Sequence, residues 1–133
     1  LCARMAYRKV GALITDGVMR DMEGVLATGL PVWCAGAAAP ASVASLTFVN
    51  WQEPIACGGV AIFPGDAIVA DGDGAVVIPQ AMLAAVVAEA AEQEIQEGWI
   101  ISEVHKGVPL PGLYPPNDET KARYVAWRKE NKK

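Results

Sequence analysis

Two apolar runs, at residues 67–70 and 75–78, flank the tetrad Asp71-Gly72-Asp73-Gly74. Aspartate and glycine tolerate the backbone conformations of a tight turn, so this pattern predicts an antiparallel hairpin. Pro79 comes next, and its fixed φ suits the first position of a helix. Leu83, Val86, Val87, Ala90, Ala91 and Ile95 then recur at helical spacing. Glu89, Glu92, Gln93, Gln96 and Glu97 occupy the other face. A hairpin that passes directly into an amphipathic helix restricts the chain to a fold in which helices cover a sheet, the α/β class with mixed β layers.

The segments before the hairpin have the same rhythm. Residues 2–9 read as the end of a helix, with Arg4, Arg8 and Lys9 near its C-terminus. Residues 11–15 read as a buried strand that stops at Asp16-Gly17, a turn signal in which Asp16 can cap the next helix. That short helix is expected over 18–28, ended by Gly29 and Pro31, with a second strand over 30–35. Residues 36–42 read as a loop and 46–51 as a strand. The apolar run 55–63 contains Gly58-Gly59, which suggests a bulge or a close backbone approach. Pro64-Gly65-Asp66 reads as a turn. Gly98 either breaks or merely weakens the long helix, which can continue over 99–106. Residues 108–116 form a proline-rich connection, and Asn117 or Asp118 caps a last helix over 119–129 that carries Tyr124 and Trp127.

The 133 residues suffice for one domain, and a hydrophobic content of 53% implies a buried core. The net charge of -4, with no basic stripe, excludes a nucleic-acid footprint. Arg128, Lys129, Lys132 and Lys133 read as a solvated helix end whose cations suit the helix dipole. No apolar run reaches the ~20 residues of a membrane helix. The three cysteines, Cys2, Cys34 and Cys57, have no metal-ligand spacing and sit in apolar segments. They point to a reducing, cytoplasmic setting rather than to disulfides or zinc. Leu1 is not an initiator residue, and the expectation is a chain that lacks an N-terminal part.

Few residues have the placement that chemistry requires. Arg20 and Asp21 come after a strand and turn, at an expected helix start. A carboxylate there can anchor a hard cation such as magnesium, which takes few protein ligands. A neighbouring guanidinium can hold a substrate carboxylate through paired N–H donors. The same two residues also fit a plain surface ion pair. Asp71-Gly72-Asp73-Gly74 lacks the spacing and closing glutamate of a calcium loop. His105 has no second histidine or nucleophile to work with and reads as an exposed helix-end residue. Gly58-Gly59 has no lysine after it and opens no helix, which excludes a phosphate loop.

Taken in order, four motifs resemble the RraA-like family. They are Thr15-Asp16-Gly17-Val18-Met19-Arg20-Asp21, Gly29-Leu30-Pro31-Val32, Cys57-Gly58-Gly59-Val60 with Pro64-Gly65-Asp66, and Asp71 to Pro79. The resemblance spans residues 11–79. That family includes 4-hydroxy-4-methyl-2-oxoglutarate aldolases that also decarboxylate oxaloacetate, sugar-acid dehydratases and a regulator of ribonuclease E.

The resemblance implies a swivelling β/β/α domain over 1–111, lacking its N-terminal part, with a C-terminal extension over 112–133. It implies a homotrimer or hexamer with sites between subunits. It further implies a magnesium- or manganese-dependent lyase acting on a small oxo-acid or sugar acid, in which Arg20 binds substrate and Asp21 anchors the metal. The regulator branch departs at the aspartate, so retention of Asp21 favours the enzyme over the ribonuclease-binding alternative. Family enzymes often carry an acidic residue three positions after the aspartate, where this chain has Gly24. Their anion-binding glycine loop would lie upstream of Leu1.

Overall fold

The computed structural model describes residues 1–131, which fall into two units, Leu1–Met82 and the segment from Leu83 onward. Lys132 and Lys133, half of the expected C-terminal basic cluster, lie outside the described residues.

The first unit opens with helix α1, Cys2–Tyr7, and Lys9 then turns the chain with a φ of 58°. Strands β1 (Leu13–Ile14) and β2 (Val18–Met19) lead to helix α2 (Met22–Leu26), and strands β3 (Val32–Trp33) and β4 (Gly36–Ala37) come after it. β1 pairs with β3 and β2 with β4, both in parallel. Backbone hydrogen bonds continue the ladder across the break. Thr15 N donates to Trp33 O at 3.0 Å and Ala35 N to Gly17 O at 2.9 Å. A parallel pair needs a crossover connection, and α2 supplies it.

This corrects the reading of 18–28 as one helix. Val18 and Met19 extend the ladder, and the helix starts only after Asp21. It also corrects Asp16 as the helix cap, because the residue at the helix start is Asp21. Gly36 and Ala37, expected in a loop, pair as a strand. The strand expected over 46–51 is absent from the described residues. That stretch finds no partner strand, and Gln52 takes a φ of 55° that ends any extended run.

Two antiparallel hairpins complete the unit. β5 (Ile55–Cys57) pairs with β6 (Val60–Ile62). Gly58 and Gly59, at φ values of 58° and 78°, form their two-residue turn. A primed turn of this kind matches the strand twist and demands positive φ at both positions. The doublet is therefore a turn rather than a bulge. β7 (Ala67–Ala70) and β8 (Ala75–Ile78) pair from Ala67↔Ile78 to Ala70↔Ala75, as the tetrad between them predicted. Asp71 Oδ1 accepts from the Asp73 and Gly74 amides and locks that turn. Asp66 accepts from Phe63 N at 2.8 Å and from Gln80 N at 3.1 Å, closing the Pro64-Gly65 turn and holding the chain after β8.

The second unit is a helical hairpin. Helix α3, Leu83–His105, runs uninterrupted through Gly98, and His105 is exposed at its end as expected. Helix α4, Asp118–Glu130, is capped by Asn117, whose side chain accepts from Thr120 N at 2.9 Å. Trp99, Ile100, Leu113 and Tyr124 form the buried cluster, flanked by Ile95, Val108 and Trp127. Two carboxylates from α3 reach α4. Glu92 accepts from Tyr124 and Arg128, and buried Glu103 accepts from Lys106 and Arg123. Arg128, expected as a solvated helix-end cation, is thus tied to Glu92.

Gly112 organises the start of α4. Its carbonyl accepts from Asn117 N and from Thr120 Oγ1, both at 2.8 Å. A Cβ placed there would lie 2.6 Å from Asn117 Nδ2, and the φ of +82° disfavours any side chain. Gly112→Ala is expected to displace the cap and lower stability by about 1–2 kcal/mol, the range for a lost N-cap. Chemical denaturation beside Asn117→Ala checks this, and the two losses should not add, because they share one contact.

Glu103 also makes the second unit sensitive to acid. The Lys106 hydrogen bond lowers its pKa most; burial opposes this, and the charges of Lys106 and Arg123 lower it further. The folded value thus lies below the unfolded one. Its contribution is complete above the ordinary glutamate range and is lost as pH falls through the folded value. Near-ultraviolet circular dichroism of the tryptophans is expected to show a transition beginning below pH ~4.3. Glu103→Gln should flatten it.

Candidate active site

Arg20 stands between β2 and α2, and Asp21 is the first residue of the helix boundary. The structure brings the two side chains together, with Arg20 Nε donating to Asp21 Oδ2 at 3.2 Å. Asp21 adopts left-handed backbone angles, φ 60° and ψ 38°, and makes no side-chain capping bond to α2. A capping residue ordinarily holds β-region angles, which aim its side chain at the first helical amides. The left-handed backbone turns the Asp21 carboxylate away from that task. Aspartate is among the few residues that tolerate this conformation.

The other aspartates nearby are engaged with backbone. Asp16 Oδ2 accepts from Gly58 N at 2.9 Å, which fastens the β5–β6 turn to the turn after β1. Asp66 and Asp71 each accept from two amides. Among the described residues the Asp21 carboxylate accepts its hydrogen bond from Arg20, and its side chain is 71% exposed against 52% for Arg20. Both residues line a cleft of about 890 Å³ in the first unit. Its lining also includes Leu1 to Ala3 and the segment after β4, with Ala38, Pro40, Val43 and Leu46. Nothing in the sequence patterning assigned that segment to the site. Its small, apolar, proline-bearing composition was the one available signal.

The pair occupies one of the five N–H donors of the guanidinium. The terminal nitrogens remain as a fork that matches a carboxylate. Among the described residues no three histidine, cysteine or acidic side chains converge on one point. A caged ion therefore has no site among them. One carboxylate suits magnesium, which keeps several waters and takes one or two protein carboxylates. The three cysteines are free and half-buried, and none of the described helices is long and apolar enough to cross a membrane.

Short parallel strands joined by a crossover helix, with an Arg-Asp pair at the joint, define an α/β domain. The chain belongs to the RraA-like family, whose sequence model, described as Aldolase/RraA, matches residues 1–77. A protein of Halalkalibacterium halodurans, named "Putative 4-hydroxy-4-methyl-2-oxoglutarate aldolase", is 41% identical over 71 residues. That match covers 53% of this chain and 33% of the relative. Streptomyces coelicolor RraAS2, described as an unusual member of the RNase ES inhibitor RraA protein family, superposes with a TM-score of 0.64 at 41% identity. Here 72% of this chain and 50% of the other are covered. An uncharacterized protein from Pseudomonas syringae pv. tomato superposes with a TM-score of 0.69 at 33% identity, covering 74% and 49%. The chain thus spans about a third of that curated relative and about half of the two solved chains.

Proposed function

We propose that this chain supplies Arg20 and Asp21 to the active site of a divalent-metal-dependent lyase acting on a 2-oxo acid. The observation that carries this reading is the Arg20–Asp21 pair in its cleft, with the Asp21 carboxylate freed from helix capping. The similarity to a protein named as an aldolase supports the reaction class. Arg20 receives the substrate carboxylate on its terminal nitrogens. Its Nε donates to Asp21, which leaves the terminal nitrogens for the substrate. Asp21 holds magnesium or manganese, which supplies Lewis-acid polarisation of the keto oxygen when bound.

Cleavage breaks the C3–C4 bond of a 4-hydroxy-2-oxo acid. The electron pair stays on C3, which then takes a proton. The C4 hydroxyl loses its proton as the second product becomes a carbonyl compound. Decarboxylation leaves the same carbanion, and a dehydratase acting on a sugar acid would expel a β-hydroxyl from the corresponding one. The family resemblance makes a homotrimer or hexamer the proposed working form, in which exposed apolar residues such as Val60, Val69 and Val76 would find cover.

The test uses the full-length protein with magnesium or manganese. The panel comprises oxaloacetate, 4-hydroxy-4-methyl-2-oxoglutarate, 4-hydroxy-2-oxo acids with alkyl groups at C4, and sugar acids. Turnover that chelation removes and the metal restores is expected. Absence of turnover on the whole panel ends the lyase reading. The likeness to RraAS2 favours a second reading, a regulator that binds a ribonuclease of the E type. Capture of that ribonuclease by a protein inactive on the panel would put this reading first.

A further inference from the structure

The strand path that delivers Arg20 and Asp21 is bent. β1 ends at Ile14 and β2 starts at Val18, and the chain turns between them at Asp16-Gly17. The facing segment bridges the break, with Thr15 N on Trp33 O and Ala35 N on Gly17 O. A local bond closes the bend, where Thr15 Oγ1 accepts from Gly17 N at 3.0 Å. Both antiparallel hairpins reach this same stretch by their turns. Gly58, in the β5–β6 turn, donates its amide to Asp16 Oδ2 at 2.9 Å. Asp71, at the start of the β7–β8 turn, accepts from Trp33 Nε1 through its carbonyl at 2.7 Å.

The bond from Gly58 has the more direct bearing on the site. Asp16 lies four residues before Arg20, and Gly17, Val18, Met19, Arg20 and Asp21 run along the cleft. β2 is two residues long and faces Gly36–Ala37, and a glycine in a strand weakens it, so the ladder by itself holds this path loosely. A carboxylate that accepts from an N–H makes a charge-assisted bond, stronger than one between neutral groups. Gly58 suits that bond. Cys57 and Val60 are paired with each other, so the turn amide lies outside the paired positions, and glycine adopts its φ of 58° without strain. The tie spans 42 residues of sequence, so it fixes the bend against a separate element rather than against its own neighbours. A bend held by the ladder on one side and by a hairpin turn on the other has a set exit direction, and β2 follows it to Arg20.

We propose that Asp16 is a positioning residue for the Arg20–Asp21 pair, which it orients through its bond to the Gly58 amide. This rests on the lyase reading for the chemistry of the pair, whereas the tie itself is a matter of geometry. The Asp16 carboxylate acts through the chain that it holds. A displacement of about 1 Å at a reacting group costs on the order of 100-fold in rate, so a bond this far back along the strand reaches the chemistry.

The experiment compares Asp16→Ala with Asp16→Asn in the full-length protein. Asparagine keeps an oxygen that can accept from Gly58 N, and alanine keeps none. Hydrogen exchange read by mass spectrometry is the first measurement. Asp16→Ala is expected to speed exchange about tenfold in residues 55–62 and also in residues 17–21 and 36–38, the scale of a lost hydrogen bond to a charged group. Asp16→Asn should restore part of the protection in all three. Kinetics on a substrate that the wild type turns over is the second measurement. Asp16→Ala should lower kcat/KM by about 10- to 100-fold and raise both KM and the half-saturating magnesium concentration. A merely destabilised protein would lose folded fraction, which lowers apparent kcat and leaves KM and the metal dependence where they were.

Faster exchange confined to residues 55–62 overturns the inference. So does an Asp16→Ala protein with wild-type KM and metal dependence, and so does an Asp16→Asn protein that recovers nothing. A wild type without turnover on the whole panel ends the lyase reading, and the exchange pattern then decides by itself whether Asp16 positions the pair.

Discussion

Replacing Arg20 with alanine in the full-length protein is expected to lower kcat/KM by about 100- to 1,000-fold, the scale for removing one preorganised charge-stabilising donor. The guanidinium is half exposed and its ion pair with the neighbouring Asp21 is a surface one, so the thermal midpoint should hardly move. That combination separates a chemical role from a structural one. Arg20→Lys keeps the charge and loses the fork, and should recover only part of the activity. Asp21→Asn is the cleanest partner variant, because asparagine also tolerates left-handed backbone angles whereas alanine tolerates them poorly. It removes the charge with little backbone strain, and its loss of activity should deepen as the metal concentration is lowered. Wild-type rates in Arg20→Ala would remove the cleft from the mechanism.

The largest effect on stability is expected at Trp99. The residue is 4% exposed within the second unit, and its ring lies 5.5 Å from Tyr124 and 6.4 Å from Trp127. The Arg123 guanidinium stands 5.7 Å from the same ring. That arginine also binds Glu103, so the aromatic cluster and the buried carboxylate share a support. Trp99→Ala is expected to destabilise the helical hairpin by about 3–5 kcal/mol, the range for truncating a buried aromatic residue. Trp99→Phe should cost less, because most of the apolar contact survives. Denaturant titration measures both. The indole resonance of Trp33, whose Nε1 donates to Asp71 O at 2.7 Å in the first unit, reports on that unit separately.

The legible parts of the fold were those whose local chemistry has few solutions. Asp71-Gly72-Asp73-Gly74 allows little besides a hairpin, and β7 and β8 lie at the expected residues. Asn117 carries a capping side chain before a run of helix formers, and α4 begins there. The segment 18–28 misled because Val18 and Met19 fit a helix as readily as a strand. Their state is decided by Gly36 and Ala37, which lie beyond the intervening helix. Local patterning cannot see that pairing. The sequence also placed Arg20 next to Asp21, since adjacency is covalent. It did not reveal the left-handed backbone at Asp21 or the part that residues 38–46 take in lining the cleft, since the second depends on how the chain returns after β4.

Leu13 meets Val32 and Val18 meets Gly36, so the parallel ladder closes a short stretch of chain, and Arg20 and Asp21 lie inside it. Loop-closure entropy grows with the length of the loop, and contacts between near neighbours form early in folding. By sequence separation alone, the scaffold of the candidate site is expected to form before the more distant Asp16–Gly58 and Trp33–Asp71 contacts. Amide protons of this ladder, Thr15 and Ala35 among them, should acquire protection early in refolding.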